Sequence, residues 1–152
     1  MRRSGHTLIE LVIVVLIMGV LAAVAVPRLQ FGVVTKKKLG TAVHKLRGDL
    51  RKTRSLALRD AATNSQGYRL RLVGTSPYSE YLIRNADSGE EVYRTDIDPE
   101  ITVTASPTYR FVFGPLGYMT LGGDSQINLA AEGKSYTITF IAATGAVLSA
   151  EN

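Results

Sequence analysis

The sequence predicts an α+β protein. One long N-terminal helix, transmembrane in its first half and amphipathic in its second, packs on an antiparallel, sandwich-like β head domain. Three observations carry this reading. An uncharged, largely apolar run from Leu11 to Val26 precedes Pro27. Apolar residues then recur at helical spacing to about residue 63. Beyond Gly67 the pattern changes to short alternating segments rich in β-branched and aromatic residues, separated by turn formers.

The first element runs from His6 to Pro27. As a helix at roughly 1.5 Å per residue it spans about 33 Å, close to a bilayer's hydrocarbon core. Arg2 and Arg3 precede it, so the positive-inside rule leaves the N-terminus in the cytoplasm and the rest of the chain outside. Glu10 is the anomaly. An intramembrane acid costs about 2.5–3.5 kcal/mol on insertion scales and marks a functional partner. An ordinary export signal is the competing reading, with Ala23-Val24-Ala25 as its cleavage site. An acid in the core of such a signal has no role, which weighs against it. Gly19 and Pro27 weaken the helix, because Pro removes a backbone hydrogen bond. They either mark a segment that melts on packing, or a tolerated glycine and the membrane exit.

The second element continues the helix from residue 28 to about 63. Leu39, Val43, Leu46, Leu50 and Ala57 form one apolar stripe suited to packing on a sheet. Cations fill much of the remainder. From Arg28 to Arg71 there are 12 Lys or Arg against 2 Asp; from Leu72 to Asn152 there are 4 against 10 acids. A basic segment just beyond a membrane exit meets anionic head groups. Lys36, Lys37, Lys38, Arg47, Arg51 and Arg54 are therefore the candidates for contact with lipid or another anion.

The head domain covers residues 64–152. Asn64-Ser65-Gln66-Gly67 reads as the helix stop. Strands are expected at residues 68–73, 80–84, 91–95, 101–105, 109–113, 126–129, 136–141 and 146–149. That spacing suits an antiparallel sandwich or a strongly bent pair of sheets.

The 152 residues suffice for one helix and one domain of roughly 100 residues. There is no cysteine, so no disulfide supports the exported part. No Ser/His/Asp or Cys/His arrangement can be placed. His6 and His44 are far apart, and Gly122-Gly123-Asp124 reads as a turn. Asp96, Asp98 and Glu100 flank Pro99 and could collect around a calcium ion, which needs clustered oxygen ligands, but three acids in a strand-to-strand turn read as a solvated loop. No metal site is assigned, no cofactor is expected, and the chain reads as a non-enzyme.

Arg2-Arg3-Ser4-Gly5-His6-Thr7-Leu8-Ile9-Glu10-Leu11, with the apolar run and Pro27 in register, resembles the class III signal of type IV pilins and type II secretion pseudopilins. The family pattern is G-F-T-L-I-E, and His6 stands where Phe is usual. The resemblance implies that residues 1–5 are a leader, removed by prepilin peptidase between Gly5 and His6, and that the new N-terminus is methylated. It implies that Glu10 pairs with the α-amino group of a neighbouring subunit and that residues 6–27 are the assembly helix, ending at Pro27.

A second resemblance is spread over about 100 residues. Leu50-Arg51-Lys52-Thr53-Arg54-Ser55-Leu56-Ala57-Leu58-Arg59 is similar to a helix stretch of the GspH/FimT group, the H-type minor pseudopilins and their pilus relatives. Phe111-Val112-Phe113-Gly114-Pro115-Leu116-Gly117 resembles that group's F-x-P-x-G turn, and Ile138-Thr139-Phe140 with Gly145 its closing hairpin. The implied protein is a minor pseudopilin of a type II secretion system, at or near the tip of a pseudopilus. It would be anchored in the bacterial inner membrane by a single pass, with a periplasmic pilin head. Its implied partners are other pseudopilins or minor pilins, the inner-membrane assembly platform and membrane lipids. The alternative is a FimT-like minor type IV pilin in pilus priming or DNA uptake. Nucleic acid is the weaker partner, because Gly145-Ala146-Val147-Leu148 lacks the arginines that DNA-uptake members carry after this glycine.

Overall fold

The computed structural model describes residues 8–152, with the backbone alone for residues 24–33. Gly5 and His6 lie outside the described residues, as does the side chain of Pro27. The chain is an α+β protein with one long helix and two antiparallel sheets. It divides into two compact units, Met1–Val34 and Thr35–Asn152.

Helix α1 runs Leu8–Arg59 and is continuous through Gly19 and Pro27. In the first unit its large apolar side chains are open to solvent, from Leu8 at 84 % to Leu21 at 63 % exposed. Among the described residues no helical stretch is long and apolar enough to cross a membrane. The apolar run read in the sequence extends through Val26, beyond Ala23, the last residue before the undescribed side chains.

In the second unit the same helix behaves differently. Leu39, Val43, Leu46, Leu50 and Ala57, the stripe expected from periodicity, are buried. Beyond Arg59 the chain makes a turn, and Asn64 closes it by donating from Nδ2 to the Gly67 carbonyl at 2.7 Å.

Nine strands follow: β1 Tyr68–Val73, β2 Glu80–Asn85, β3 Glu91–Asp96, β4 Thr102–Ser106, β5 Arg110–Phe113, β6 Met119–Leu121, β7 Gln126–Ala131, β8 Lys134–Ile141 and β9 Ala146–Glu151. Eight stand close to the segments expected from period-two patterning. β6 was not expected: three residues are too few to display an alternation. The sheets have the orders β3-β2-β1-β5-β6 and β4-β7-β8-β9. The β7–β8 hairpin turns on Glu132 and Gly133, both at positive φ (47° and 74°). That is the twist a two-residue hairpin requires.

One face of each sheet meets the buried stripe of α1. Leu70, Leu72, Ile83, Phe111 and Phe113 come from the first sheet, and Val103, Ile127, Leu129, Ile138 and Val147 from the second. Phe111 stacks on Phe140 at 4.9 Å between centroids. Leu50 is fully buried in this cluster, so the second half of α1 is a core element of the head.

Candidate assembly site and head-domain junctions

The assembly candidates begin with Glu10. It lies in the first turn of α1, flanked by exposed Ile9 and Leu11. A carboxylate there also complements the positive end of the helix dipole. The helix around it offers an apolar surface far larger than isolated exposed hydrophobics produce, and such surface marks interaction.

The basic residues expected to meet anions separate into two groups. Lys36, Lys37 and Arg51 are exposed. The other three are engaged within the head. Lys38 bridges Asp98 at 3.2 Å and Glu100 at 3.0 Å. Glu100 and then Asp98 raise the Lys38 pKa; the backbone N–H of Glu100 and then Lys38 lower that of Asp98. Thr35 also donates to Glu100 at 3.2 Å. The two acids of the β3–β4 loop thus hold the start of the head's helix. Arg47 donates from Nη1 to Ser149 Oγ on β9 at 3.3 Å.

Arg54 gives the most informative junction. Its Nε donates to the Gly117 carbonyl at 3.0 Å. Gly117 and Gly145 both have positive φ. A Cβ on Gly145 would sit 2.1 Å from the Gly117 carbonyl and 3.1 Å from Arg54 Nε. The helix stretch, the F-x-P-x-G turn and the closing hairpin were separate strings in the sequence. In the structure one residue from each meets at a single point, where two glycines permit backbones and an arginine to approach.

Other polar ties were not anticipated. Tyr81 donates to Asp49 at 2.6 Å, fastening β2 to the helix. Burial, then Asp49, raises its pKa. Tyr68 donates to Asp60 at 2.6 Å, and Arg59 holds the same carboxylate. Arg59 and then Tyr68 lower the Asp60 pKa to about 2. Each tie joins residues distant in pattern though both polar, so periodicity carried no signal for it. Among the described residues no cluster of three or more His, Cys, Asp or Glu is arranged to hold a metal.

Residues 1–26 match the family described as "Prokaryotic N-terminal methylation motif". That motif leads into the long helix α1, which continues into the two-sheet antiparallel head. The fold is similar to that of the type IV minor pilin FimU of Pseudomonas aeruginosa (strain PAO1). One crystal form matches with a TM-score of 0.58 at 14 % identity, over 74 % of this chain and 88 % of that one. A second crystal form matches with a TM-score of 0.57 at 13 % identity, over 73 % and 91 %. No curated protein matches the chain.

Proposed function

We propose that this protein is a low-copy structural subunit of a type IV pilin-like filament, without catalytic activity of its own. The observation that carries the reading is the methylation motif continuing into a helix whose large apolar side chains stand open to solvent. Such a surface calls for apolar neighbours: lipid before assembly and other subunits after it. In this reading prepilin peptidase cuts between Gly5 and His6. The first half of α1 rests as a single inner-membrane span, N-terminus cytoplasmic, before the assembly platform extracts it. Glu10 then pairs with the α-amine of an adjacent subunit.

Two machines fit. The likeness to a minor pilin favours a type IV pilus subunit. The H-type stretches that meet at Arg54, Gly117 and Gly145 are shared by minor pseudopilins and their pilus relatives, and the lack of cysteine suits both, so a type II secretion pseudopilin fits as well. Co-expression with a prepilin peptidase, followed by N-terminal sequencing, tests the shared reading. A mature chain starting at His6, and uncut Gly5→Val precursor, are expected. A start at Val26 would make the protein an ordinary exported domain instead. Glu10→Ala should reach the membrane yet be depleted from sheared filaments. Whether the parent chain appears in pilus shear fractions or remains with the secretion complex decides between the machines.

A further inference from the structure

The outer face of the five-stranded sheet carries five arginines and no lysine. In register, one row crosses Arg84, Arg69 and Val112, and the next crosses Arg94, Leu82, Arg71 and Arg110. Residues directly opposed on antiparallel strands share a face. Arginine therefore stands against arginine twice, Arg69 opposite Arg84 and Arg71 opposite Arg110. Like charges so placed destabilise a sheet, so the fold alone does not call for them.

The β2–β3 half of this face is neutralised from within. Arg94 grips Glu91 through Nε at 2.9 Å and Nη2 at 3.0 Å, and reaches Glu80 at 3.2 Å. Arg84 donates to Glu91 at 3.3 Å. The β1–β5 half is not. Among the described residues no carboxylate pairs with Arg69, Arg71 or Arg110; Arg71 and Arg110 lie instead against the Tyr109 ring, at 5.7 and 5.2 Å. The Nε atoms of Arg69, Arg71 and Arg84 are shielded from solvent and bond to nothing in the chain. Leu82 is only 3 % exposed although it belongs to this face, so the arginine stems cover it and hold their heads in place. The result is an array of salt bridges complete on one side and lacking its anions on the other.

We propose that this face docks a protein partner, through a segment carrying paired carboxylates beside aliphatic side chains. The planar guanidinium fork matches a carboxylate with two parallel bonds, as Arg94 already does with Glu91. Half-buried Val73 and Val112 flank the bare arginines, and exposed Leu121 stands in register with Val112. Arginine mixed with aliphatic surface suits a protein interface, whereas a phosphate track needs no aliphatic border. The inference holds whether or not the chain enters a filament.

The test is fluorescence anisotropy on the full-length chain in non-ionic detergent. The probes are a labelled peptide of alternating Glu and Val, its Gln/Val counterpart, and an oligothymidylate of equal charge. The Glu/Val peptide should bind at least about tenfold more tightly than either control. R69Q/R110Q should weaken that binding by about tenfold while melting at the same or a higher temperature, because like-charge opposition is relieved. Lys45→Gln, an exposed charge loss on the helix, should leave binding unchanged. Equal binding of the Glu/Val and Gln/Val peptides overturns the proposal. So does tighter binding of the oligonucleotide, or an R69Q/R110Q variant that melts lower than the parent, which would make the arginines structural.

Discussion

The two halves of α1 share one backbone and nothing else. Residues 8–23 expose leucine, isoleucine and valine throughout, and Val34 is exposed as well. Residues 35–59 hide one narrow stripe under two sheets and turn cations outward. The difference shows where each half obtains its stability. The second half is held by its own domain's core. The first has no core among the described residues, and in the proposed function its apolar surface is covered by lipid or by other subunits. A single helix is thus a fold element at one end and an open apolar surface at the other.

The largest effects should come from removing core on one side of this comparison and not on the other. Leu50→Ala deletes a fully buried side chain. It should cost about 2–5 kcal/mol, read as a lower thermal midpoint of the head. Leu16→Ala, at a residue 64 % exposed, should leave that midpoint unchanged and show itself only in reduced recovery from filaments. Equal destabilisation by both would mean that the two halves are not separate in the way described.

Next in size is the Arg54–Gly117–Gly145 junction. Gly145→Ala places a methyl where only 2.1 Å is available, at a positive φ that disfavours any side chain. A loss above about 1 kcal/mol is expected. Arg54→Lys keeps the charge and loses the Nε bond to Gly117, at about 1.5–3 kcal/mol. Because both act on one contact, the double variant should lose less than the sum. Strict additivity in chemical denaturation would show the two residues to be independent.

Acid should affect the head through a small set of carboxylates. Arg94, then Arg84, lower Glu91 from 4.5 to about 2; Arg59, then Tyr68, lower Asp60 from 3.8 to about 2. A carboxyl whose folded pKa is depressed contributes stability above its unfolded value and loses it as pH falls through the folded one. The thermal midpoint should therefore be nearly flat above pH 5 and decline between about pH 4.5 and 2. Glu91→Gln should shrink that decline. An unchanged slope would show that Glu91 is not coupled to folding.

Much of this architecture was legible because it rests on periodicity. The stripe from Leu39 to Ala57 is spaced for one helix face, and β1 and β7 alternate buried and less buried residues as their sequences suggest. Glu10 stood out in the sequence for the opposite reason: a charge where the apolar pattern forbids one. What stayed hidden depends on register. Arg69 and Arg84 are fifteen positions apart, and Arg71 and Arg110 thirty-nine, so no linear window shows either pair. Summing charge along the chain even pointed the wrong way. The segment after Leu72 is acidic in total, yet Arg84, Arg94 and Arg110 gather with Arg69 and Arg71 on one face. Arg54 was visible within a motif, but its partners lay in two other motifs until the hairpin and the turn came together.

The smallest effect concerns the three consecutive lysines, which looked equivalent in the sequence and are not. Lys38 is held by Asp98 and Glu100. Lys36 and Lys37 are exposed and free to meet anionic lipid, each worth at most about 1 kcal/mol near a charged surface. A fragment spanning residues 28–152 should bind anionic vesicles a few-fold more weakly after Lys36→Gln with Lys37→Gln. More salt should diminish that difference, since these charges are screened within a Debye length of about 8 Å at physiological ionic strength. Lys38→Gln should leave vesicle binding near the parent value and instead loosen the β3–β4 loop, seen as faster amide exchange around Glu100. If all three lysines contribute equally to vesicle binding, the Lys38 ion pairs do not persist in solution, and the boundary between the open and core-facing halves of α1 lies further toward Arg59 than Thr35.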